Sequence, residues 1–255
     1  MTGRYLGAFG ACLCLLLSCA TLADVEIGVD ANDPPFMYVK NQQPEQAQGL
    51  YTALIRTAFA RMQQPLTLHP LPWKRAMQAA KQQGQGIAGI YMSGERLQWL
   101  TFSAPLFEEQ IVVYTLRPMT GQPREVRQLS DLHGLRVGVL EDWFYSDEFS
   151  AASRTGLIRA QAVSSDRLNL RKLLAGRVDA VLAVRQCGEQ ALRDLPQRAL
   201  FVHSSQPLFA NKTYLAFPRQ SHADDLLQRF NQTLQAMHTD GSYAQIVNQE
   251  LQTTP

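Results

Sequence analysis

Residues 71–107 read LPWKRAMQAAKQQGQGIAGIYMSGERLQWLTFSAPLF and are the most informative part of this chain of 255 residues. A segment of helical period at residues 73–82 is followed by a short apolar strand at 87–90. Arg96 comes soon after that strand and before the sequence Phe-Ser-Ala-Pro at 102–105. A guanidinium held on a folded scaffold is a rigid fork of donors for a carboxylate or a phosphate. The stretch therefore predicts a helix, a strand and a site that binds a small anion.

Short β-branched segments alternate with segments of helical period on both sides of this stretch. Such alternation is typical of parallel sheets covered by helices on both faces. At residues 118–127 the composition turns polar, and the alternation then begins again. The predicted strands are residues 25–29, 66–69, 87–90, 110–114, 135–140, 178–183, 200–203 and 213–217, and the predicted helices are 50–62, 73–82, 147–153, 165–175, 188–193, 223–237 and 243–251.

We predict a two-lobed α/β fold from this pattern. Residues 24–116 and 206–255 form lobe one, and residues 117–205 form lobe two, which is inserted into lobe one. The chain then crosses between the lobes twice, near Tyr114 and near Gln206. Two crossings create a cleft that closes on a ligand, and ligands of open α/β sheets bind beyond the carboxyl ends of the strands. The loops expected there are residues 30–36, 91–96 and 141–146.

The first 23 residues have the pattern of a secretory signal peptide. Arg4 precedes an apolar run over residues 6–17, which is too short for a membrane span, and small residues lead to Ala23. We place the cleavage after Ala23 and the mature protein in the periplasm. Residues 16–19 read Leu-Leu-Ser-Cys, which also resembles a lipoprotein cleavage box. A lipid anchor at Cys19 is therefore the alternative.

Composition argues against several other classes of protein. The charge is nearly balanced, with 24 Lys and Arg against 22 Asp and Glu, and no basic run points to nucleic acid. The mature chain keeps only Cys187, which we expect to be a buried small hydrophobe and not part of a disulfide. The five histidines lack the spacing of metal ligands, and the glycines at residues 84–89 lack the context of a dinucleotide site. We expect a monomer with neither metal nor cofactor.

Motifs that are each weak occur along the chain in a specific order. They are IGVD (27–30), PPF (34–36), PWKRA (72–76) and ER (95–96), followed by DLHGLRVGV (131–139), YSDEF (145–149), LAGRVDAV (174–181) and DGSY (240–243). Taken together they resemble the family 3 extracytoplasmic solute-binding proteins, the periplasmic receptors for polar amino acids that serve ABC importers. The resemblance covers essentially the whole mature chain. It implies a type II periplasmic-binding-protein fold, a small-molecule ligand and an ABC permease in the inner membrane as partner.

The resemblance assigns roles to residues of the cleft. Arg96 matches the arginine that binds the α-carboxylate of the ligand, and Ser93 supplies further donors to that group. The alternative for Arg96 is a surface arginine paired with a neighbouring glutamate. Trp73 matches an aromatic residue that stacks on the ligand, with a core anchor as the equal alternative. Asp30 either attracts an ammonium group or caps the loop that follows it.

One position departs from the family pattern in a way that bears on the ligand. Val184 stands where many amino-acid-binding members carry an aspartate for the α-amino group. An ammonium group buried without a partner is costly, so this change disfavours a plain amino acid. Trp143 and Phe144 stand where the family has small or hydroxyl residues. Together with Tyr91 they predict an aromatic pocket.

Three functions are consistent with these residues. The first is a periplasmic protein that captures a small carboxylate-bearing solute, an amino acid or a related compound, by hinge closure and delivers it to an ABC importer. The second is an enzyme on the same scaffold, similar to cyclohexadienyl dehydratases, with Glu108, Glu109, Glu141 and Asp142 as acid-base candidates. The third is a sensor that docks on a kinase or cyclase. We favour the first and expect no catalysis.

Overall fold

A computed structural model describes residues 23–40, 47–122, 124–193 and 195–253. Residues 1–22 of the predicted signal peptide, which include Cys19, lie outside the described residues. Ala23 is described, and its carbonyl accepts a hydrogen bond from Nε2 of Gln64 at 2.7 Å. No helix within the described ranges combines the length and the apolar character needed to cross a bilayer.

The described residues alternate between strands and helices along the whole chain. The strands are β1 (Val25–Asp30), β2 (Asn32–Asp33), β3 (Met37–Val39), β4 (Ala47–Gln48), β5 (Leu66–Leu71), β6 (Gly86–Tyr91), β7 (Leu100–Phe102), β8 (Phe107–Leu116), β9 (Arg136–Leu140), β10 (Arg159–Val163), β11 (Ala180–Val184), β12 (Phe201–His203) and β13 (Phe209–Pro218). The helices are α1 (Leu50–Arg61), α2 (Trp73–Gln83), α3 (Gly94–Leu97), α4 (Asp147–Arg154), α5 (Asp166–Leu174), α6 (Arg185–Leu192), α7 (Asp224–Thr239) and α8 (Ser242–Thr253).

One sheet of ten strands runs through both lobes, in the order β10-β9-β11-β8-β13-β6-β1-β5, with β12 beside β8 and β7 beside β13. In lobe one, β1 pairs in parallel with β5 and β6, and in lobe two, β9 pairs in parallel with β10 and β11. Strands β8 and β13 are antiparallel to their partners, so the sheet is mixed. The sequence pattern predicts parallel sheets, and these two strands are the exception. The predicted two-lobed α/β fold is confirmed.

Strands β8 and β13 connect the lobes. Residues 107–111 of β8 pair with residues 209–213 of β13. The rest of β8 pairs with β11 and β12 in lobe two, while the rest of β13 pairs with β6 and β7 in lobe one. These two strands are long because each serves both lobes, whereas the sequence predicts only residues 110–114 of β8 and 213–217 of β13. The exact lobe boundaries, at residues 116 and 206, stay predictions.

Close packing against β8 fixes the position of helix α6. A Cβ atom added to Gly188 would lie 2.4 Å from the ring of Tyr114, so only a glycine allows this approach. The Tyr114 hydroxyl also donates to the carbonyl of Arg185 at 3.2 Å. The first turn of α6, which carries Cys187, is therefore held next to the connecting strands.

A few elements differ from the predicted ones for physical reasons. Strand β10 was not predicted because it is an edge strand, and its sequence Arg-Ala-Gln-Ala-Val is largely exposed and lacks a β-branched run. Helix α6 begins at Arg185, directly after β11, because no glycine or proline separates them. The pattern predicts its start three residues later, at Gly188.

Candidate functional site

A cavity of about 600 Å³ lies between the two lobes. Cavities of this size are typical of sites for small molecules. Lobe one contributes the end of β1, strand β2 and the start of α2, and lobe two contributes the loop after β9, the start of α5 and part of α6. The residues that line it are Asp30, Ala31, Asn32, Asp33, Pro34, Pro72, Trp73, Lys74, Leu140, Glu141, Asp142, Trp143, Ser164, Ser165, Asp166, Arg167, Cys187, Gln190 and Ala191. We call it the acidic cavity, after Asp30, Asp33 and Asp166.

The three aspartates reach the cavity from strand and helix ends. Asp30 is the last residue of β1, and Asp33 follows on the short strand β2. Asp166 opens helix α5, where the Oγ of Ser165 accepts a hydrogen bond from the Leu168 amide at 3.3 Å. Loops after parallel strands and helix N-termini are the usual positions of ligand groups in α/β folds. The fold thus brings carboxylates of both lobes to one place.

Asp33 forms a hydrogen bond across the cleft. Its Oδ1 accepts from the thiol of Cys187 at 3.3 Å, and both side chains are buried. Burial raises the pKa of Asp33 well above its usual value, and the charges of Glu109 and Asp30 raise it further. Burial also raises the pKa of Cys187, which keeps its proton on the thiol. The contact therefore joins a protonated thiol of lobe two to a carboxyl group of lobe one.

Asp166 and Asp30 are held in environments that disfavour their charged forms. Burial raises the pKa of Asp166 to about 7, with a further contribution from the charge of Glu109. Burial raises the pKa of Asp30 to about 6, although the amides of Asn32 and Ala31 lower it in part. Oδ1 of Asp166 is shielded from solvent and has no hydrogen-bond partner among the described residues.

A fourth carboxyl group, Glu109, lies behind the cavity on β8. It is 1% exposed and accepts hydrogen bonds from the hydroxyls of Tyr51 and Tyr91. Burial raises the pKa of Glu109 to about 7, while the two tyrosine hydrogen bonds lower it. Its charge raises the pKa of both Asp33 and Asp166. Glu109 therefore adds to the negative potential of the acidic cavity.

Two tryptophans from opposite lobes form an aromatic wall. The ring centroids of Trp73 and Trp143 are 5.8 Å apart with an interplanar angle of 41°. Trp143 also packs edge-on against Tyr91, with centroids 5.9 Å apart. Trp73 is 9% exposed, and its indole N–H has no partner among the described residues. The lobes thus touch through aromatic faces that border the cavity.

Arg96, Tyr91, Ser93 and Phe144 form a second cluster, which we call the arginine site. Oγ of Ser93 caps helix α3 by accepting from the Arg96 amide at 3.3 Å. Nη1 of Arg96 donates to the Tyr91 carbonyl at 2.8 Å. The Phe144 ring of lobe two lies 5.7 Å from the guanidinium carbon, and Arg96 is 8% exposed. Burial lowers the pKa of Arg96.

The structure separates the predicted site residues into two groups. Asp30, Trp73 and Trp143 line the acidic cavity. In this conformation, Arg96, Ser93, Tyr91 and Phe144 do not line it. The predicted loops 30–36 and 141–146 contribute to the cavity, and loop 91–96 forms the arginine site instead.

Two predicted positions show local structural roles besides any role in binding. Val184, the last residue of β11, is 5% exposed and is absent from the cavity wall. Oδ1 of Asp30 accepts from the Asn32 amide at 2.9 Å, so Asp30 both caps its loop and lines the cavity. The ligand-binding roles of all eight predicted residues stay predictions.

Sequence reasoning missed Asp33, Asp166 and the position of Cys187. An aspartate after a serine at a helix start is an ordinary capping pattern, so Asp166 carries no distinctive signal. Asp33 lies in a loop that the sequence assigns to the cleft, but no feature of the sequence distinguishes it from an ordinary aspartate in a turn. Among the described histidines, cysteines, aspartates and glutamates, no group is arranged to hold a metal ion.

Comparisons with known proteins agree with the fold. Residues 25–253 match the family model described as bacterial extracellular solute-binding proteins, family 3. A comparison with curated proteins finds no match.

Three similar solved structures have identities of about a fifth or less to this chain, so they establish the fold only. A histidine kinase sensor domain with similarity to periplasmic binding proteins has a TM-score of 0.77 and 20% identity, over 90% of this chain and 96% of that chain. The arginine-, lysine-, histidine-binding protein of Geobacillus stearothermophilus has a TM-score of 0.72 and 21% identity, over 91% and 97%. An arginine transport system periplasmic binding protein from Legionella pneumophila has a TM-score of 0.72 and 17% identity, over 90% and 100%.

Proposed function

Because this chain belongs to the bacterial extracellular solute-binding proteins of family 3, we propose that it captures a small amino acid or amino-acid-like solute in the periplasm by hinge closure and delivers it to an ABC importer. The observation that carries this proposal is the cavity of about 600 Å³ that both lobes line. Contacts between the lobes surround it, including the Trp73–Trp143 pair and the Cys187–Asp33 hydrogen bond. A solute in this position touches both lobes at once.

Closure follows from contacts that exist only when the lobes meet. Strands β8 and β13 are the two connections, and a small rotation about them separates Trp73 from Trp143 and Cys187 from Asp33. A solute that binds both walls shifts the population toward the closed state by its differential affinity for that state. The closed pair of lobes is then the form that the permease recognises.

The arginine site is the proposed position of a carboxylate. Arg96 uses one of its N–H groups for the Tyr91 carbonyl, and a guanidinium carries five. Phe144 covers the guanidinium face, so a carboxylate reaches Arg96 from the edge or after Phe144 turns away. The bidentate geometry of arginine suits that group.

Ligand-induced closure is the property to test first. We expect one or more solutes in a library of amino acids, opines, small peptides and amines to raise Tm and to reduce the radius of gyration in small-angle X-ray scattering. A library in which no solute changes either quantity would contradict capture by closure.

Delivery to an importer needs a separate experiment. Deleting the gene is expected to abolish uptake of the radiolabelled solute, and supplying the gene in trans is expected to restore it. The similar histidine kinase sensor domain supports a sensor as the second candidate function. For a sensor, uptake stays normal while the transcriptional response to the solute disappears.

We also propose that the protein does not catalyse a reaction on its solute. Among the acids that the structure describes as buried, Glu109 is the least exposed, at 1%, and its carboxylate accepts hydrogen bonds from Tyr51 and Tyr91. Incubation with prephenate, arogenate and the identified solute, followed by NMR, is expected to show no consumption above background. Turnover that disappears in Glu109→Gln would establish an enzyme instead.

A further inference from the structure

Three features of the acidic cavity bear on the charge of the solute, and the first is the carboxyl groups themselves. Asp33 of lobe one and Asp166 of lobe two both line the cavity, and the charge of Asp166 adds to those of Glu109 and Asp30 in raising the pKa of Asp33. Among the described residues, neither forms an ion pair with an arginine or lysine. Lys74 and Arg167 are in the lining but are exposed. Closing the lobes over ionised aspartates is therefore unfavourable without a positive charge between them.

The second feature is a pair of polar groups that lack partners. Oδ1 of Asp166 is shielded from solvent and accepts no hydrogen bond from any described residue. The indole N–H of Trp73 is equally unpartnered, and Trp73 is 9% exposed. Buried polar atoms are almost always hydrogen-bonded, so unpartnered ones at a cavity wall indicate that a ligand completes them. The free oxygen of Asp166 requires a donor, whereas the N–H of Trp73 requires an acceptor from another part of the solute.

The third feature is the aromatic wall. Trp73 and Trp143 approach from opposite lobes and border the same cavity as the aspartates. The face of a tryptophan ring attracts an ammonium or guanidinium group, more strongly where water is excluded. The wall and the carboxylates thus favour the same kind of group.

We propose that Asp33 and Asp166, from opposite lobes, hold a cationic group of the solute, an alkylammonium or a guanidinium, against Trp73 and Trp143. This inference rests on the proposed function and names the charge class of its solute. The positive charge satisfies both carboxylates, donates to Oδ1 of Asp166 and removes the repulsion that opposes closure. A carboxylate on the solute adds affinity through Arg96 but is not required.

Matched solutes separate the contribution of each charge. Isothermal titration calorimetry compares arginine with agmatine and lysine with cadaverine, which differ by the carboxylate alone. Norleucine and glutarate serve as solutes of similar length without the distal cation. We expect agmatine or cadaverine to bind with an affinity within about tenfold of the matching amino acid, and norleucine and glutarate to bind at least about thirtyfold more weakly.

Matched variants assign the effect to the two aspartates. Asp33→Asn and Asp166→Asn are each expected to weaken the best cationic solute by roughly thirtyfold or more, because one half of a buried charge pair is lost. The control is Asp147→Asn, because Asp147 also opens a helix after a capping serine but is exposed and lies outside the cavity. It is expected to change the affinity less than twofold. Circular dichroism checks that each variant folds. If Asp33→Asn does not fold, Asp166→Asn still tests the proposal, because Asp166 is partly exposed and its substitution disturbs the core less.

The outcomes distinguish this inference from the proposed function. Tight binding of norleucine or glutarate, or unchanged cation affinity in the folded aspartate variants, would overturn the cationic site and leave solute capture intact. Absence of binding and of closure with every solute would overturn both.

Discussion

The acidic cavity and the arginine site lie on either side of the contact between Tyr91 and Trp143, yet their polar groups are satisfied in different ways. In the arginine site the chain partners part of its own cation, because Arg96 donates one N–H to the Tyr91 carbonyl and is covered by Phe144. In the acidic cavity, carboxyl groups repel one another and Oδ1 of Asp166 has no donor among the described residues. Groups that a protein leaves unsatisfied in a cavity indicate the ligand more directly than groups that it satisfies itself.

Placing a lysine in the acidic cavity is expected to have the largest effect. Asp166→Lys puts an ammonium group opposite Asp33, where it takes the place of the charge of the solute. We expect affinity for cationic solutes to fall by about a hundredfold or more, since attraction is replaced by repulsion. We also expect the ligand-free variant to scatter X-rays as the closed form.

The matched control for this change is Asp147→Lys at the start of α4. It makes the same charge change after a capping serine, at an exposed position. It is expected to leave both affinity and the radius of gyration unchanged. Equal loss of affinity in both variants would mean that general charge, and not the acidic cavity, controls binding.

Removing one aromatic face is expected to have the next largest effect. Trp143→Ala removes the ring that packs on Trp73 and Tyr91 from lobe two. A desolvated cation–π contact contributes about 2 kcal/mol, so we expect calorimetry to show roughly a thirtyfold loss of affinity. Trp99→Ala is the control, since Trp99 carries Lys81 at 5.1 Å from its ring but lies outside the cavity lining. A loss as large in Trp99→Ala would assign the effect to stability.

Arg96→Gln tests the arginine site. If the arginine site binds only the carboxylate, affinity for arginine falls by about tenfold while affinity for agmatine changes less than twofold. Calorimetry on the two solutes gives the ratio directly. An equal loss for both would show that Arg96 acts through the fold, by holding Tyr91 and Phe144 in place.

How much of the fold can be predicted from the sequence depends on whether an element is set by a local pattern or by pairing between distant segments. Hydrophobic periods predict the longer strands and helices, because each of these buries a continuous face of its own. They do not predict the short elements β2, β3, β4, β7 and α3 or the edge strand β10. The long strands β8 and β13 are underestimated, since the outer parts of each pair with a different lobe and no local pattern records that. Pairing between distant segments is a property of the folded chain.

Site residues follow the same rule. The sequence singles out Arg96 because its neighbours form a motif, and Trp73 because it starts an amphipathic helix, and their binding roles stay predictions. Asp33 and Asp166 are far apart in the chain, and their environment arises only when the lobes meet. Burial and mutual charge, which distinguish them from ordinary turn and capping residues, have no counterpart in the local sequence.

The stability of the ligand-free protein is expected to fall as pH rises. Asp30, Glu109 and Asp166 have folded-state pKa values of about 6, 7 and 7, above the values near 4 of unfolded carboxyl groups. The folded protein therefore binds more protons between about pH 4 and pH 7, and the stability present below pH 4 is lost across that window. We expect Tm to be several degrees lower at pH 8 than at pH 5, given about 2–4 °C per kcal/mol for proteins of this size.

Two further measurements test whether the acidic cavity causes this dependence of Tm on pH. Asp166→Asn is expected to flatten the dependence of Tm on pH, and Asp147→Asn is expected to leave it as it is. A cationic solute is expected to raise Tm more at pH 8 than at pH 5, because it binds the ionised carboxylates. A Tm that rises from pH 5 to pH 8 in the ligand-free protein would contradict the raised pKa values of Asp30, Glu109 and Asp166.

Substitutions of Cys187 test how its thiol affects solute binding in the acidic cavity, and they have the smallest expected effect. Its thiol donates to Asp33 across the cleft at 3.3 Å, so it satisfies one oxygen of a carboxyl group that the solute also needs. Cys187→Ser keeps a donor at the same place and is expected to change solute affinity by about twofold or less. Cys187→Ala removes the donor without adding bulk, and we expect a further weakening of a few fold in calorimetry because Asp33 is then held less firmly. If the alanine variant instead binds the cation more tightly than the wild type, the thiol competes with the solute for Asp33 and is displaced when the solute enters.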